Sequence, residues 1–459
     1  MKLLKKLFQP VDMTEGTPWK KIVIFMFPML IGNIAQQLYA TVDSIVVGKY
    51  EGDNALAAVG AAGPTLNLLL VLFVGISMGA TIMVSQYFGA RDRKGISFSV
   101  GNCITLVAIA SIIIMIIAPI ISRPMLELLK TPEVLIDQAE SYLLITFIGV
   151  AGMAYYNILG AILRGLGDSM SSLVYLLIAT VLNIILDIIF VAYFGMGVDG
   201  VALATVIAQG FSAFLCLFRL MKMKDIFDFK KEYLVLKRKY SGTMIKLGLP
   251  SGITQAIVSM AMLIVQPLTN SFGELVIASS TIVMRVDGFA MVPTFSFGNA
   301  MTTYAGQNVG AKKDERLSVG SKQGTFVAVA VTTAITGVIL LLGRQIMGCF
   351  TDTVEVIDLS MKFMCILGFG YVAMAVNQSL SGIIRGSGDT MTPMWISLIC
   401  TVFTRIPLVY FLVYMSRSAE NPIGQPECIH YSLLITWTLS AVVTYIYYRS
   451  NKWRNKGIS

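Results

Sequence analysis

Again and again along this chain, a run of about 20 or more largely apolar residues is closed off by a short polar connection. That pattern leaves few folds open. A hydrocarbon layer offers no water to backbone N–H and C=O groups, so a segment inside it must satisfy its own hydrogen bonds, as a helix does. About 20 apolar residues suffice to cross, and glycine or proline kinks accommodate longer runs. Spans are predicted near 22–47, 55–86, 97–122, 133–163, 169–194, 198–221, 243–271, 275–307, 319–348, 354–384, 390–415 and 430–449, twelve in all. Composition agrees, with 56% hydrophobic and 13% charged residues, where soluble domains carry about 25% charged, and a mean hydropathy of +0.74. The sequence predicts an all-α, polytopic membrane protein.

A formal net charge of +9 would suit a nucleic-acid partner if the basic residues formed one patch. Instead they are dealt out between spans. The even-numbered connections and both ends hold Lys2, Lys5, Lys6, Lys20, Lys21, Arg91, Arg93, Lys94, the cluster from Lys222 to Lys246, Lys312, Lys313, Arg316, Lys452, Arg454 and Lys456. The odd-numbered connections hold mainly Lys49, Arg123, Lys130, Arg344 and Arg417. The positive-inside rule then puts both termini in the cytoplasm and needs no nucleic acid. Residues 1–21 lack an apolar core followed by a small-residue cleavage site, so they are predicted to be a cytoplasmic lead-in. The expected layout is an N-lobe of six helices over 22–221, a basic cytoplasmic linker over 222–242, a C-lobe of six over 243–449, and a cytoplasmic tail over 450–459. Cys103, Cys216, Cys349, Cys365, Cys400 and Cys428 show no CxxC pairing and read as small apolar packers, with no metal site implied.

The halves repeat. Arg164, Gly165, Gly167 and Asp168 recur at one constant offset as Arg385, Gly386, Gly388 and Asp389. At the same offset Gln86, Gly89, Ala90 and Arg91 match Gln307, Gly310, Ala311 and Lys312; Gly52, Asp53 and Ala57 match Gly273, Glu274 and Ala278; and Gly149 matches Gly370. Six spans per copy is an even number, so both copies cross in the same sense and should be related by a pseudo-twofold axis along the membrane normal. Transporters built this way work by rocking one bundle against the other.

The copies differ where chemistry would sit. Asn183 and Asp187 are four apart on the fifth span, stacked on one helical face, whereas the second copy has Thr404 and Leu408. A carboxylate inside a spanning helix costs several kcal/mol by insertion scales and is a functional candidate by default. The competing reading of Asp187 is a structural hydrogen bond. Asp43 on the first span falls at similar depth, in the outer half, near enough to meet Asp187 if the helices are neighbours; its competing reading is an interfacial acid. A carboxyl withdrawn from water takes up a proton more readily and releases it when its surroundings change. A proton and any ligand that prefers the ionised carboxyl would then compete for one cavity, which couples them if they compete in both outward- and inward-facing states.

Other intramembrane polar groups are less telling. Arg285 and Asp287 are two apart and turn to different faces, so each is expected to pair with another helix, as is Arg405. Asn33, Gln36, Gln255 and Asn377, with Met260 and Met291, are expected to line a cavity; flexible thioethers suit a promiscuous apolar surface. Gln37, Gln266 and Gln378 either line a lumen or bridge helices. His430 is expected at the interface, at the outer start of the last span. Gly75-Ile-Ser-Met-Gly79 fits the G-x-S-x-G hydrolase pattern, but inside a spanning helix it reads as Gly-x-x-x-Gly close packing. GQNVGAKK at 306–313 lacks the Gly-Lys-Ser/Thr end of a phosphate-binding loop. No ATP-hydrolysing motif is visible, so energy is expected from an ion gradient or a partner.

Taken together and in order, several short pieces resemble the multidrug and toxic compound extrusion (MATE) family. They are Pro28, Gly32 and Gln36 at the start of the first span, AAVGAAGP at 57–64, the turns at Gly89 and Gly310, the two RGxGD turns, and YAGQNVGA at 304–311. The resemblance covers nearly the whole chain. It implies a two-lobe plasma-membrane exporter, not an enzyme, that moves amphipathic, often cationic drugs outward in exchange for protons, with sodium the alternative ion, without a bound cofactor, as a monomer among membrane lipids. The acidic pattern looks like the DinF-like branch, where an aspartate of span 1 and an Asn-x-x-x-Asp pair of span 5 line the N-lobe cavity; here these would be Asp43, Asn183 and Asp187. The branch with acids in spans 7 and 10 is not matched, since span 7 has Gln255 and Met374 to Gln378 contains no acid. The alternatives are a flippase for a lipid-linked sugar, to which Arg285 and Arg405 would lend a cationic cavity, and a membrane-embedded enzyme or sensor.

Overall fold

The computed structural model describes residues 9–129, 131–419 and 422–458. Lys2, Lys5, Lys6 and Lys130 of the charge argument lie outside the described residues, as does the side chain of Asp53. In order, the helices are α1 (Pro18–Tyr50), α2 (Asp53–Gly89), α3 (Arg93–Leu128), α4 (Glu133–Ile148), α5 (Val150–Gly165), α6 (Ser169–Asp187), α7 (Gly197–Lys222), α8 (Lys231–Leu234), α9 (Arg238–Asn270), α10 (Glu274–Gly310), α11 (Asp314–Leu341), α12 (Gly343–Gly348), α13 (Val354–Gly386), α14 (Met391–Leu398), α15 (Arg405–Met415) and α16 (Glu427–Arg449). Two π turns interrupt the regular spiral, Ile188–Tyr193 after α6 and Ile399–Thr404 between α14 and α15. The protein is an all-α, polytopic membrane protein.

Eleven of the described helical segments are long and apolar enough to cross a membrane, and the α4–α5 pair, bent by 54°, supplies a twelfth. The bend falls at Gly149, where a Cβ would fall inside van der Waals contact with Val206 of α7. Large apolar side chains such as Ile120 and Phe326 stand out from the helices, as lipid-facing surfaces require.

The chain divides into two units. One is Phe27–Gly252 with the described part of Met1–Asp12; the other is Met13–Met26 with Ile253–Ile458. The division falls inside α1 and inside α9. The segment after α7 does not behave as a free linker. It is strapped along α3, where Asn102 donates to the carbonyls of Tyr233 and Val235 and accepts from the Lys237 backbone N–H at 2.7 Å. Thr105 donates to the Leu234 carbonyl, and Arg93 pairs with Asp228 at 2.7 Å. Gly101 makes room for the Tyr233 carbonyl, which any Cβ there would strike.

Duplicated sequence gives duplicated turns. Gly167 (φ +89°) and Gly388 (φ +99°) occupy a region that side chains oppose, and each is covered by a terminal segment. The Val11 N–H donates to the Gly167 carbonyl at 2.9 Å, while the backbone of Lys456 lies over Gly388. Arg91 and Lys312, at matching positions, both have φ +55° and close their helices in the left-handed conformation. Asp168 caps α6 by accepting from the Ser171 N–H at 3.0 Å and pairs with Arg219 at 2.8 Å. Asp389 accepts from Thr392, from Tyr447 at 2.6 Å and from Lys456 at 2.9 Å. Burial alone would raise the Asp389 carboxyl, but the hydrogen bonds from Lys456, Tyr447 and Thr392 outweigh it and hold the group below its ordinary range.

The Gly75-x-x-x-Gly79 pair is a packing device. A Cβ on Gly79 would strike the Met244 carbonyl, and one on Gly248 would strike the Gly75 carbonyl, so α2 and the first part of α9 meet backbone to backbone. YAGQNVGA is structural as well. Tyr304 donates to the Arg316 carbonyl at 2.6 Å, and Gln307 and Asn308 hold both backbone groups of Met13 at 2.9 and 3.3 Å.

Candidate functional site

Helix periodicity assembles a polar cluster inside the first unit. Tyr39 and Asp43 are one turn apart on α1, Asn183 and Asp187 one turn apart on α6, and Thr205 faces them from α7. Asn183 and Asp187 are fully buried, and Asp43 is partly buried. With its amide nitrogen turned toward the acids, the orientation its neighbours satisfy, Asn183 donates to Asp43 Oδ1 at 2.9 Å and to Asp187 Oδ2 at 3.0 Å. The two carboxyls are also within hydrogen-bonding reach of each other. On the far side of the amide, the Thr205 hydroxyl lies 3.5 Å away and accepts from the Tyr39 hydroxyl at 3.0 Å. Thr205 thereby keeps a hydrogen to turn toward the Asn183 carbonyl, which fixes the amide with its donors facing the acids.

The surroundings are dry. Val46, Val47, Ala55, Val191, Val198 and Val201 form a buried apolar wall, with Val42 and Tyr142 packed against it. Asp187 Oδ1 has no hydrogen-bond partner within this wall, an unsatisfied acceptor that costs of order 1–3 kcal/mol or more. Immediately after Asp187 the helix widens into the Ile188–Tyr193 π turn, an irregularity that recurs at functional sites. Beside the cluster opens a recess lined by Gln36, Tyr39, Tyr156, Leu176, Thr180 and Gln209. Tyr39 belongs to both the recess and the cluster. The recess is open on one side, and its empty space of about 320 Å³ includes that open side.

The structure thus brings together Asp43, Asn183 and Asp187, and sets Gln36 at the neighbouring recess. The cavity residues expected in the second half are dispersed. Met291 is packed in an apolar core with Phe363, Met364 and Tyr371. Asn377 is engaged in bridging helices, accepting from Thr444 at 2.8 Å. Met260 and Gln255 are exposed on the second unit, and Asn33 is partly buried on the first. Tyr39 and Thr205 were missed by sequence reasoning. Tyr39 was within reach of it, four residues before Asp43 on the same face; nothing local marks Thr205.

Asp287 meets the expectation of a partner on another helix, lying beside the Tyr371 hydroxyl of α13. Arg285 does not, since it is exposed and makes no side-chain hydrogen bond or ion pair among the described residues. His430, near the start of α16, is 5% exposed and stacked on Phe363 with ring centroids 4.0 Å apart.

Comparison with known proteins agrees with this architecture. Among curated relatives, the probable multidrug resistance protein YpnP of Bacillus subtilis is 28% identical over 96% of this chain and 97% of its own length. The probable multidrug resistance protein NorM of Thermotoga maritima is 25% identical over 86% of this chain and 85% of its own. Among solved structures, a MOP superfamily transporter from Pyrococcus furiosus shares the fold with a TM-score of 0.89 at 24% identity, covering 96% of this chain and 98% of that one. A multidrug resistance MATE family transporter in an outward-facing conformation matches with a TM-score of 0.89 at 23% identity and the same coverage. The family model MatE matches twice, at residues 28–189 and 250–411, once on each copy of the repeat, and the chain therefore belongs to the MatE family.

Proposed function

We propose that this protein is a secondary active multidrug exporter of the plasma membrane, with both termini cytoplasmic, which exchanges protons for amphipathic, often cationic compounds by alternating access. The names of its relatives, probable multidrug resistance proteins, support the cargo class. The observation that carries the coupling is the contact of Asp43 and Asp187 around Asn183 in a dry part of the first unit. Two carboxyls in contact do not both ionise cheaply, so they share a proton when nothing else offers positive charge. A cationic cargo in the adjoining recess favours the ionised pair and expels that proton; a proton returning from outside expels the cargo. Asn183 positions the acids, and Thr205 and Tyr39 position Asn183.

The test is transport of a cationic dye by proteoliposomes under separately imposed proton and sodium gradients. Wild-type protein is expected to respond to the proton gradient. Asp187→Asn keeps the shape of the site but not its ionisation, and is expected to reduce the proton-driven rate by at least about tenfold, a loss of ~1.4 kcal/mol of coupling, at unchanged membrane abundance. Wild-type resistance conferred by this variant in a drug-hypersensitive host would refute the assignment. A response to sodium alone would replace the ion.

A further inference from the structure

The fifth spans of the two halves carry opposite charges, each next to a π turn. In the first half Asp187 is followed by the π turn Ile188–Tyr193; in the second, Arg405 directly follows the π turn Ile399–Thr404. At the repeat offset Arg405 corresponds to Ile184, and Leu408 to Asp187. The second half has therefore not merely lost an acid. It has gained a base one turn away.

Arg405 is only 6% exposed, its Nε is sealed from solvent without an acceptor, and among the described residues its side chain makes no hydrogen bond or ion pair. A second unsatisfied group lies close by. α16 packs against α15, with Cys428 donating to the Leu412 carbonyl, and two residues on from Cys428 the buried Nδ1 of His430 has no hydrogen-bond partner of good geometry among the described residues. The Pro426 carbonyl, just before α16, lies near the ring, and Phe363 of α13 stacks on it and holds it in place. Removing a guanidinium from water without a counter-charge costs several kcal/mol. A structural arginine at this depth would be met by a carboxylate or a set of carbonyls; here a planar fork of donors and an imidazole are left unfilled.

We propose that Arg405, with His430 beside it, is a binding site in the second unit for a carboxylate group. The guanidinium grips both oxygens in the parallel geometry that arginine favours, and His430 donates to one of them when Nδ1 carries the proton. The carboxylate comes either from a zwitterionic cargo or from a free organic acid. The first source rests on the export reading above and extends its cargo from cations to zwitterions.

The experiment uses the full-length protein in phosphatidylcholine nanodiscs, titrated with rhodamine 110, which has a free carboxylate, and with rhodamine 123, its methyl ester. Wild-type protein is expected to bind the acid about tenfold more tightly than the ester, and Arg405→Gln to abolish that preference while leaving ester binding unchanged. In parallel, sodium acetate is expected to raise the unfolding temperature of wild-type protein above that in sodium chloride at equal ionic strength, and to do nothing for Arg405→Gln. A dye preference assigns the site to cargo; acetate stabilisation without a dye preference assigns it to free acids. Neither effect in wild-type protein, or either effect surviving in Arg405→Gln, overturns the proposal. Failure of both dyes to bind counts against the export reading alone, and the acetate arm still decides the site. Arg405→Gln is expected to fold, since it removes an unpaired buried charge; Arg405→Lys, which keeps the charge but loses the fork, serves as the second variant and is expected to show an intermediate preference.

Discussion

Two buried aspartates of this protein, Asp187 and Asp389, show how surroundings assign a carboxylate its work. Asp389 is held by Thr392, Tyr447 and Lys456, and both of its oxygens accept hydrogen bonds. Asp187 keeps one oxygen without a partner and touches a second acid. The first arrangement stabilises the charged form and suits a fixed joint; the second suits a group that changes its charge. Because the folded carboxyl of Asp389 lies below its unfolded value, its stabilisation is present at neutral pH and is lost as pH falls through the folded value. Lys456→Gln is therefore expected to lower stability at pH 7 by about 1–2 kcal/mol, discounted because the lysine is half exposed, with the deficit shrinking as the pH drops below the ordinary carboxylate range. Thermal unfolding of both proteins across pH 3–8 checks the sign: a deficit that grows on acidification would contradict it. Asp187 stood out in the sequence because a charge in an apolar helix is rare. The partners that separate its role from that of Asp389 did not, because they arrive from other helices.

At the scale of elements, much was legible, and for a physical reason: a lipid-spanning helix must satisfy its own backbone, so its existence is written locally in one apolar run. The twelve runs, the duplicated turns and the Gly75–Gly79 packing signal were all of this kind. What could not be read locally was which helices approach, and where. The strap after α7 looked like a basic linker, yet its backbone is held by Asn102 and Thr105 of a helix more than a hundred positions earlier. The π turns left no mark in the apolar pattern. Backbone approach makes a sharp prediction at α2 and α9. Gly248→Ala places a methyl against the Gly75 carbonyl, and overpacking of this sort costs about 1–3 kcal/mol, seen as a lower unfolding temperature in detergent. At Gly60 of α2 a Cβ would meet nothing within 4 Å; Gly60→Ala is expected to be neutral or to stabilise by up to about 1 kcal/mol. Equal effects of the two changes would mean that helix propensity, not close approach, governs α2.

For the molecule as a whole, duplication followed by divergence leaves one acid pair per chain. The repeat partners of Asp43, Asn183 and Asp187 are Ile264, Thr404 and Leu408, none of which ionises. If the pair shares a proton at rest and cationic cargo takes its place, binding must release it, and the second half has no equivalent pair to add another. Titrating purified protein with rhodamine 6G, a cation without a free carboxylate, in weakly buffered detergent containing a pH indicator is therefore expected to release no more than about one proton per bound dye near neutral pH, because a shared proton on a close carboxyl pair is lost as a unit. The Asp43→Asn/Asp187→Asn double variant is expected to bind the dye more weakly and to release none. Release of the same amount by that variant would place the coupling elsewhere. Dye bound by wild-type protein with no proton released would mean that the pair is already ionised, leaving cargo nothing to exchange at this site.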